Sequence, residues 1–468
     1  MLKRIAVVGS GTSCIAFLSG LNYSKDIMVD VYDKGNDPIS RIKAGDNKSL
    51  LWGFGGAGTF SDGKLSFSSD VGGNLKDIMP DLKSHTEFNS YAHKIALDLW
   101  GTNVDDNIEK TDCAMYSKLY PLFLSKGMNL IESLFVHLGT DVIQNRVLYW
   151  YNIFKNNSQI AFHFNTSVKE IKYNLKNNTI KVSTLVDSTD IGSTIEYDII
   201  VIAIGRAGNV ELPMIAVSEA LNSRELYSNN ILDIGIRYEL PHAITSHITD
   251  MLYEFKAEYY TKTGERVRTF CVNPRGYVVE EKAEGYSLVN GHSYSSSATK
   301  SSNTNFAILV SHEFTTPFRE AILYGKNIAK LSSMLSRGSC LVQRYTDFKL
   351  GRPSTLSIIS KGFVEPTLKT ALPGDLNLVL PRRIANNIEE FIEQLNKVIP
   401  GVANDSNLLY GIEAKFYSKK YQLSENMQLS SYPIYVIGDA SGYTRGIMQS
   451  SISGIKVAEY VNKQNRVI

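Results

Sequence analysis

The sequence predicts an α/β protein: a domain built on a parallel sheet, a second α+β domain, and a helical insertion. Three observations carry this. Arg4–Val8 (RIAVV) is a β-branched run that enters a glycine turn. Ile199–Gly205 (IIVIAIG) and Tyr435–Gly438 (YVIG) are strand-then-glycine segments far downstream. Runs apolar on both faces are the mark of buried parallel strands. Asp233–Leu240 (DIGIRYEL) instead alternates, as a half-buried strand does.

Composition sets the outer limits. The chain has 468 residues, enough for two or three domains at ~100–200 residues each. Hydrophobic residues make up 43% and charged residues 21%, which excludes disordered, collagen-like and fibrous classes. Lys and Arg number 49 against 47 Asp and Glu, a net charge of +2. Nucleic acid is therefore disfavoured as a bulk electrostatic partner. No apolar run reaches the ~18 residues that span a bilayer, so no membrane partner is expected. Ile5–Val8 is too short for a secretory core. The cysteines (Cys14, Cys113, Cys271, Cys340) lie far apart without a CxxC, so neither a dithiol pair nor a metal site is expected. A cytoplasmic protein with reduced thiols is the simplest expectation. Oligomeric state is left open.

The first strand runs into Gly9-Ser10-Gly11-Thr12-Ser13-Cys14, and Ile15–Leu18 continues at helical spacing. A second strand, Ile27–Tyr32, ends at Asp33 and Lys34. This is a Rossmann-like βαβ unit. Gly9 permits the tight turn, Gly11 leaves room for a diphosphate, and the helix start presents free N–H groups to that anion. Asp33 is placed to accept from a ribose diol. Cys14 stands where the pattern wants Gly or Ala, so a slightly looser helix–strand contact is expected.

A second cluster, Gly53-Phe54-Gly55-Gly56-Ala57-Gly58, also fits GxGxxG. No strand precedes it and no helix or acid follows in place. It overlaps a near miss to a P-loop, with Leu65 where a magnesium-binding Ser or Thr belongs. What remains is a glycine-rich loop whose backbone can pass close to a flat or anionic ligand.

Gly55–Ser66 (GGAGTFSDGKLS) resembles the signature of a large family of FAD-dependent dehydrogenases, two-domain flavoproteins whose members mostly lack a known substrate. The resemblance continues through Ile199–Gly205, Val272–Val279 (VNPRGYVV), Asn290–Tyr294 (NGHSY), Gly411-Ile412-Glu413 with Ser418, and Tyr435–Ala458 (YVIGDASGYTRGIMQSSISGIKVA). It implies FAD as cofactor and a glutathione-reductase-like fold. It places Gly9–Ser13, Asp33, Lys34, Gly55, Gly56, Gly58, Ser61 and Gly205 at the cofactor. It sets Val168 at the adenine through backbone groups, and Gly438 and Asp439 at the ribityl chain. Gly446 and Ile447 then open a helix against the flavin ring, where a positive dipole stabilises the reduced form. Asp439 stands where relatives often have Glu, and Arg445 where they often have glycine. Arg445 either adds positive charge near the flavin or points to solvent.

The expected division is 1–75, 156–218 and 405–468 for the FAD-binding domain, 76–155 for the helical insertion, and 219–404 for the substrate domain. Within the insertion, Ala92–Leu99, Leu122–Leu138 and Val142–Phe154 read as helices. Thr166–Tyr173 and Thr179–Leu185 read as a β-meander joined by a Lys-Asn-Asn turn. Ser293–Asn305 reads as a polar loop and Ala385–Val398 as an amphipathic helix.

For acid–base work the candidate is His292, between Gly and Ser in a loop of the family pattern; the alternative is a surface histidine without a role. Lys64 either neutralises an anionic substrate or flavin or is a salt-bridged loop residue. Glu413 and Lys415 are further candidates. Cys14 reads as packing rather than redox. No GxSxG elbow supports hydrolysis. The expected activity is hydride transfer between flavin N5 and a small organic substrate. A flavin monooxygenase or oxidase, a tRNA-modifying flavoenzyme and a non-catalytic redox-sensing flavoprotein are the alternatives. A separate NAD(P)H domain is not expected; NAD(P)H remains a candidate transient reductant.

Overall fold

Ile5, Ala6 and Val7 are sealed from solvent on both sides, because their strand lies inside a parallel sheet. A computed structural model describes residues 3–24, 26–44, 52–61, 63–102, 113–132, 135–174, 179–186, 190–205, 215–216, 227–228, 230–252, 254–283, 285–292, 300–318, 320–416, 420–429 and 432–466. The chain divides into two units. Met1–Glu109, Leu134–Ser228 and Ser418–Ile468 form the first; Lys110–Ser133 and Asn229–Tyr417 form the second.

The first unit holds a five-stranded sheet ordered Ile434–Val436, Ile199–Ile202, Lys3–Val8, Ile27–Tyr32 and Ile160–His163. Every pairing is parallel, with Ile5 opposite both Ile199 and Val29. The opening helix, Thr12–Gly20, crosses between the first two strands. The meander Thr166–Asn174, Thr179–Val186 and Asp190–Tyr197 is antiparallel; its expected Lys-Asn-Asn turn lies outside the described residues.

The closing helix, Ile447–Arg466, packs against the opening helix at backbone distance. A Cβ on Gly454 would sit 2.3 Å from the Ser13 carbonyl oxygen and 2.9 Å from the Phe17 nitrogen. Those are main-chain atoms and cannot rotate aside. Ser453 Oγ accepts the Gly438 N–H at 2.9 Å, tying the last strand's end to the same helix.

Two expected helices are present, as His85–Asp98, capped by Ser84, and Thr140–Lys155. The latter buries Ile143, Val147, Tyr151 and Phe154, one apolar stripe. The expected helix over Leu122–Leu138 is corrected. A helix over Cys113–Ser125 stops at Gly127, which takes φ +68°. Two short strands follow, Asn129–Ile131 and Phe135–His137. The first joins the sheet of the second unit through Lys256–Tyr260, and the second pairs with Lys64–Ser66 in the first unit. Residues 76–155 are thus shared between units rather than forming one helical insertion.

The second unit is built on an eight-stranded sheet: Leu372–Pro373, Leu341–Arg344, Leu408–Phe416, Ile231–Pro241, Asn303–Glu313, Arg266–Asn273, Lys256–Tyr260 and Asn129–Ile131. Arg382–Asn396 lays Ile384, Ile388, Phe391, Ile392 and Leu395 into its core. Two further expectations are corrected here. Leu408–Phe416 pairs on both edges within this sheet, so residues 405–416 do not belong to the nucleotide domain. Asn303–Asn305 is buried strand, not polar loop; Asn303 donates to the Glu365 carbonyl at 2.9 Å, and Asn305 accepts from Arg237 at 2.8 Å. Hydrogen bonding lets such polar residues be buried. Residues 293–299 lie outside the described residues. Among the described residues, no helix is long and apolar enough to cross a membrane.

The helix–helix contact predicts a sign. Ala is the better helix former by ~1 kcal/mol, yet Gly454→Ala forces the two helices apart, at a cost of roughly 1–3 kcal/mol for overpacking. Urea denaturation should show net destabilisation; an equal or higher midpoint contradicts the packing.

Candidate functional site

A cavity of about 430 Å³ opens in the first unit. It is walled by the opening turn, the glycine-rich loop, the start of the meander, the end of the Ile199–Ile202 strand and the start of the closing helix. Each wall has a local cause.

At the opening turn Gly9 takes φ +94°, and a Cβ there would lie 2.5 Å from the Ala203 carbonyl oxygen. Its N–H donates to the Tyr32 carbonyl at 2.7 Å. Gly11 meets nothing nearer than Gly56 Cα at 3.9 Å, so its missing side chain leaves the cavity open. The opening helix starts on it, and Ser10–Ser13 all face the cavity. The first N–H groups of a helix have no acceptor within it and carry partial positive charge. Cys14 is fully buried and faces the core; burial, then the nearby Asp33 carboxylate, pushes its thiol pKa far above the usual range.

The glycine-rich loop is bound to this turn. Gly55 donates to the Ser10 carbonyl at 2.8 Å and bridges to Gly11. A Cβ on Gly58 would meet Thr12 Oγ1 at 2.6 Å. Beneath the loop the buried Arg41 guanidinium donates to the carbonyls of Phe54 at 2.5 Å and Gly56 at 3.1 Å. Burial pulls its pKa down to about 10, while Asp33 opposes the shift. Gly55, Gly56, Gly58, Ser61 and Lys64 all line the cavity. The Lys64 ammonium lies 3.9 Å from the Phe135 ring centroid.

Asp33 and Lys34 are on the wall, and Lys34 Nζ sits 3.3 Å from the Trp52 ring centroid. Asp33, however, is occupied by protein donors. One oxygen accepts from Ser10 N at 2.8 Å and Ser10 Oγ at 2.7 Å; the other accepts from Gly35 N at 2.8 Å and Gly53 N at 2.7 Å. Val168 lies on the meander wall and Gly205 at the end of the Ile199–Ile202 strand.

At the far wall Asp439 accepts from Thr444 Oγ1 at 2.9 Å and Ser450 Oγ at 3.0 Å. Gly446 caps the closing helix, its carbonyl accepting from Ser450 N at 3.0 Å. Asp439, Arg445, Gly446 and Ile447 line the cavity. Gly438 does not. It turns at φ +64° behind the wall, where a Cβ would strike Ser13 Oγ at 2.5 Å. Gln449 holds the loop that follows the glycine-rich loop, accepting from Leu75 N at 3.1 Å and donating to the Val71 carbonyl at 2.9 Å.

Besides Gly438, three candidates do not line this cavity: His292, Glu413 and Lys415. His292 is exposed on the hairpin Tyr277–Ala283/Tyr286–His292 of the second unit. Glu413 is fully buried in that unit's sheet, 3.3 Å from Arg237 and 3.1 Å from Lys415. Sequence reasoning missed Arg41 and Trp52, which belong to no motif; Thr444, Gln449 and Ser450 lie in the Tyr435–Ala458 segment, but their contacts to Asp439 and to the loop at Val71–Leu75 are made only by folding. Among the described residues no group of His, Cys, Asp or Glu is arranged to hold a metal ion.

Residues 234–416 match the family described as FAD-dependent protein, C-terminal domain-like. An uncharacterised protein of Clostridium beijerinckii is 25% identical, over 98% of this chain and 80% of that protein. Among solved structures, a formate oxidase is 10% identical with a TM-score of 0.49, covering 99% of both chains. A glycine oxidase from Geobacillus kaustophilus is 12% identical with a TM-score of 0.35, covering 98% of this chain and 95% of its own. Overlaps this loose carry no argument about substrate or reaction.

Burial of Cys14 predicts its chemistry. In the folded protein at neutral pH the thiol should resist iodoacetamide and become labelled only after unfolding, as read by peptide mass spectrometry. Rapid labelling of native Cys14 contradicts the packing role.

Proposed function

We propose that this chain is an FAD-dependent oxidoreductase that moves a hydride between a small organic substrate and the flavin. The observation that carries the reading is that two helix starts, at Gly11–Ser13 and at Gly446–Ile447, face one cavity. Its volume falls within the ~300–1,000 Å³ of small-molecule sites. A ligand anionic in its middle and electron-accepting at one end suits that pair of positive helix ends.

The residues fit FAD in a definite direction. The N–H groups of Gly11, Thr12 and Ser13 take the diphosphate, with Gly55, Gly56 and Gly58 letting the loop backbone close on it. Val168 and its neighbours face the adenine. Asp439, itself oriented by Thr444 and Ser450, accepts from the ribityl hydroxyls. Gly446 and Ile447 present their N–H groups to the pyrimidine edge of the ring, and Arg445 and Lys64 add positive charge to the walls. Bound there, FAD supplies a ring that gains or loses hydride at N5. The chain's own part is to orient that ring, keep water from it and stabilise negative charge on it. The substrate and the partner that supplies or removes electrons follow from no residue described above.

Purified protein, or apo-protein mixed with FAD, should be yellow, with a band near ~450 nm that bleaches on reduction. A colourless protein that ignores FAD defeats the proposal. Asp439→Ala should weaken FAD binding roughly 10–100-fold, the loss of a charged hydrogen bond. His292→Ala should leave FAD affinity unchanged. Fluorescence titration reads both. Peroxide formation in air then separates an oxidase from a dehydrogenase, and trials with NADH and NADPH identify the reductant.

A further inference from the structure

Asp33 closes the second strand, where a dinucleotide-binding unit usually holds the ribose diol. Its surroundings here are different. An ionised carboxylate offers about four acceptor directions. All four are taken, by Ser10 N, Ser10 Oγ, Gly35 N and Gly53 N, each at 2.7 or 2.8 Å. Three of these donors are backbone N–H groups on separate segments: the opening turn, the turn after the second strand, and the glycine-rich loop. Asp33 is 9% exposed, so an N–H released from it would gain little from water.

The backbone is shaped to bring those donors in. A Cβ on Gly35 would lie 2.4 Å from Gly53 N. Gly53 takes φ +93°, and a Cβ on it would strike the Asn36 carbonyl oxygen at 2.4 Å. Both positions therefore need glycine, and their close approach sets two N–H groups on one carboxylate oxygen. The tie continues outward. Ser10, held twice by Asp33, accepts Gly55 N at 2.8 Å through its own carbonyl. The Asp33 carbonyl accepts Thr166 N at 2.9 Å, fixing the start of the meander.

The geometry points to Asp33 as a positioning residue that locks the phosphate turn to the glycine-rich loop, and not as the ligand of the adenosine ribose. A ribose hydroxyl could reach a lone pair only by displacing a buried N–H. The cavity wall next to Asp33 is instead made by Lys34 and Trp52. The role of the lock in binding rests on the FAD reading; its role in ordering the loops does not.

The test separates the two. The first arm uses cofactor-free protein and compares the melting temperatures of wild type, Asp33→Asn and Ser10→Ala. A lock predicts a fall of about 5 °C for Asp33→Asn and a smaller fall for Ser10→Ala. The Ser10 variant decides the matter if Asp33→Asn does not fold. The second arm measures binding of FAD and of its analogue lacking the adenosine 2′-hydroxyl. A lock predicts that Asp33→Asn weakens both about equally, so the ratio of the two affinities matches wild type. A contact predicts that the ratio moves to one, as coupled partners do in a double-mutant cycle. Either an unshifted melting temperature or a lost ratio overturns the inference. If wild type binds neither flavin, the FAD reading fails and the melting arm still decides the lock.

Discussion

The close contact between the opening and closing helices governs the first unit. Gly454 lets the closing helix rest on the main chain of Ser13 and Phe17, so at that point the two helices meet backbone to backbone. Their starts then open onto the same cavity. Gly438 and Ser453 extend the contact to the last strand, which is why the chain's end and its beginning act as one site. A bulkier residue at any of these positions would separate the two positive ends, each of which is a weak anion site alone and a stronger one together.

Around that contact, the walls are held by hydrogen bonds that need no ligand. Asp33 gathers three backbone segments, Arg41 supports the glycine-rich loop from below, and Gln449 fastens the loop after it to the closing helix. A cavity ordered in advance binds with less loss of freedom than one that forms around its ligand. The wall also carries Lys34, Lys64, Lys169 and Arg445 against Asp33, Glu170 and Asp439. With the two helix ends added, the balance favours a ligand bearing negative charge.

What the sequence disclosed was local. The strand–glycine–helix order and the β-branched runs predicted the parallel sheet, because those signals act over a few neighbouring residues. The cavity wall was legible for the same reason, from Gly9 to Ser13 and from Asp439 to Ile447. Long-range effects were not legible. Leu122–Leu138 has helical spacing, but Gly127 breaks it and strand partners distant in sequence claim the rest. Asn303–Asn305 looks like loop because its buried partners, Arg237 and Glu365, are far along the chain. The acid at position 33 was found, but not that its lone pairs are already used, since Gly35 and Gly53 matter only once the loop folds over.

The most direct measurement is a high-resolution structure of the protein with FAD. The diphosphate oxygens should lie on the N–H groups of Gly11–Ser13 and the pyrimidine edge of the ring against Gly446–Ile447. A flavin bound outside this cavity, or lying in it with the ring at the opening turn, would overturn that placement.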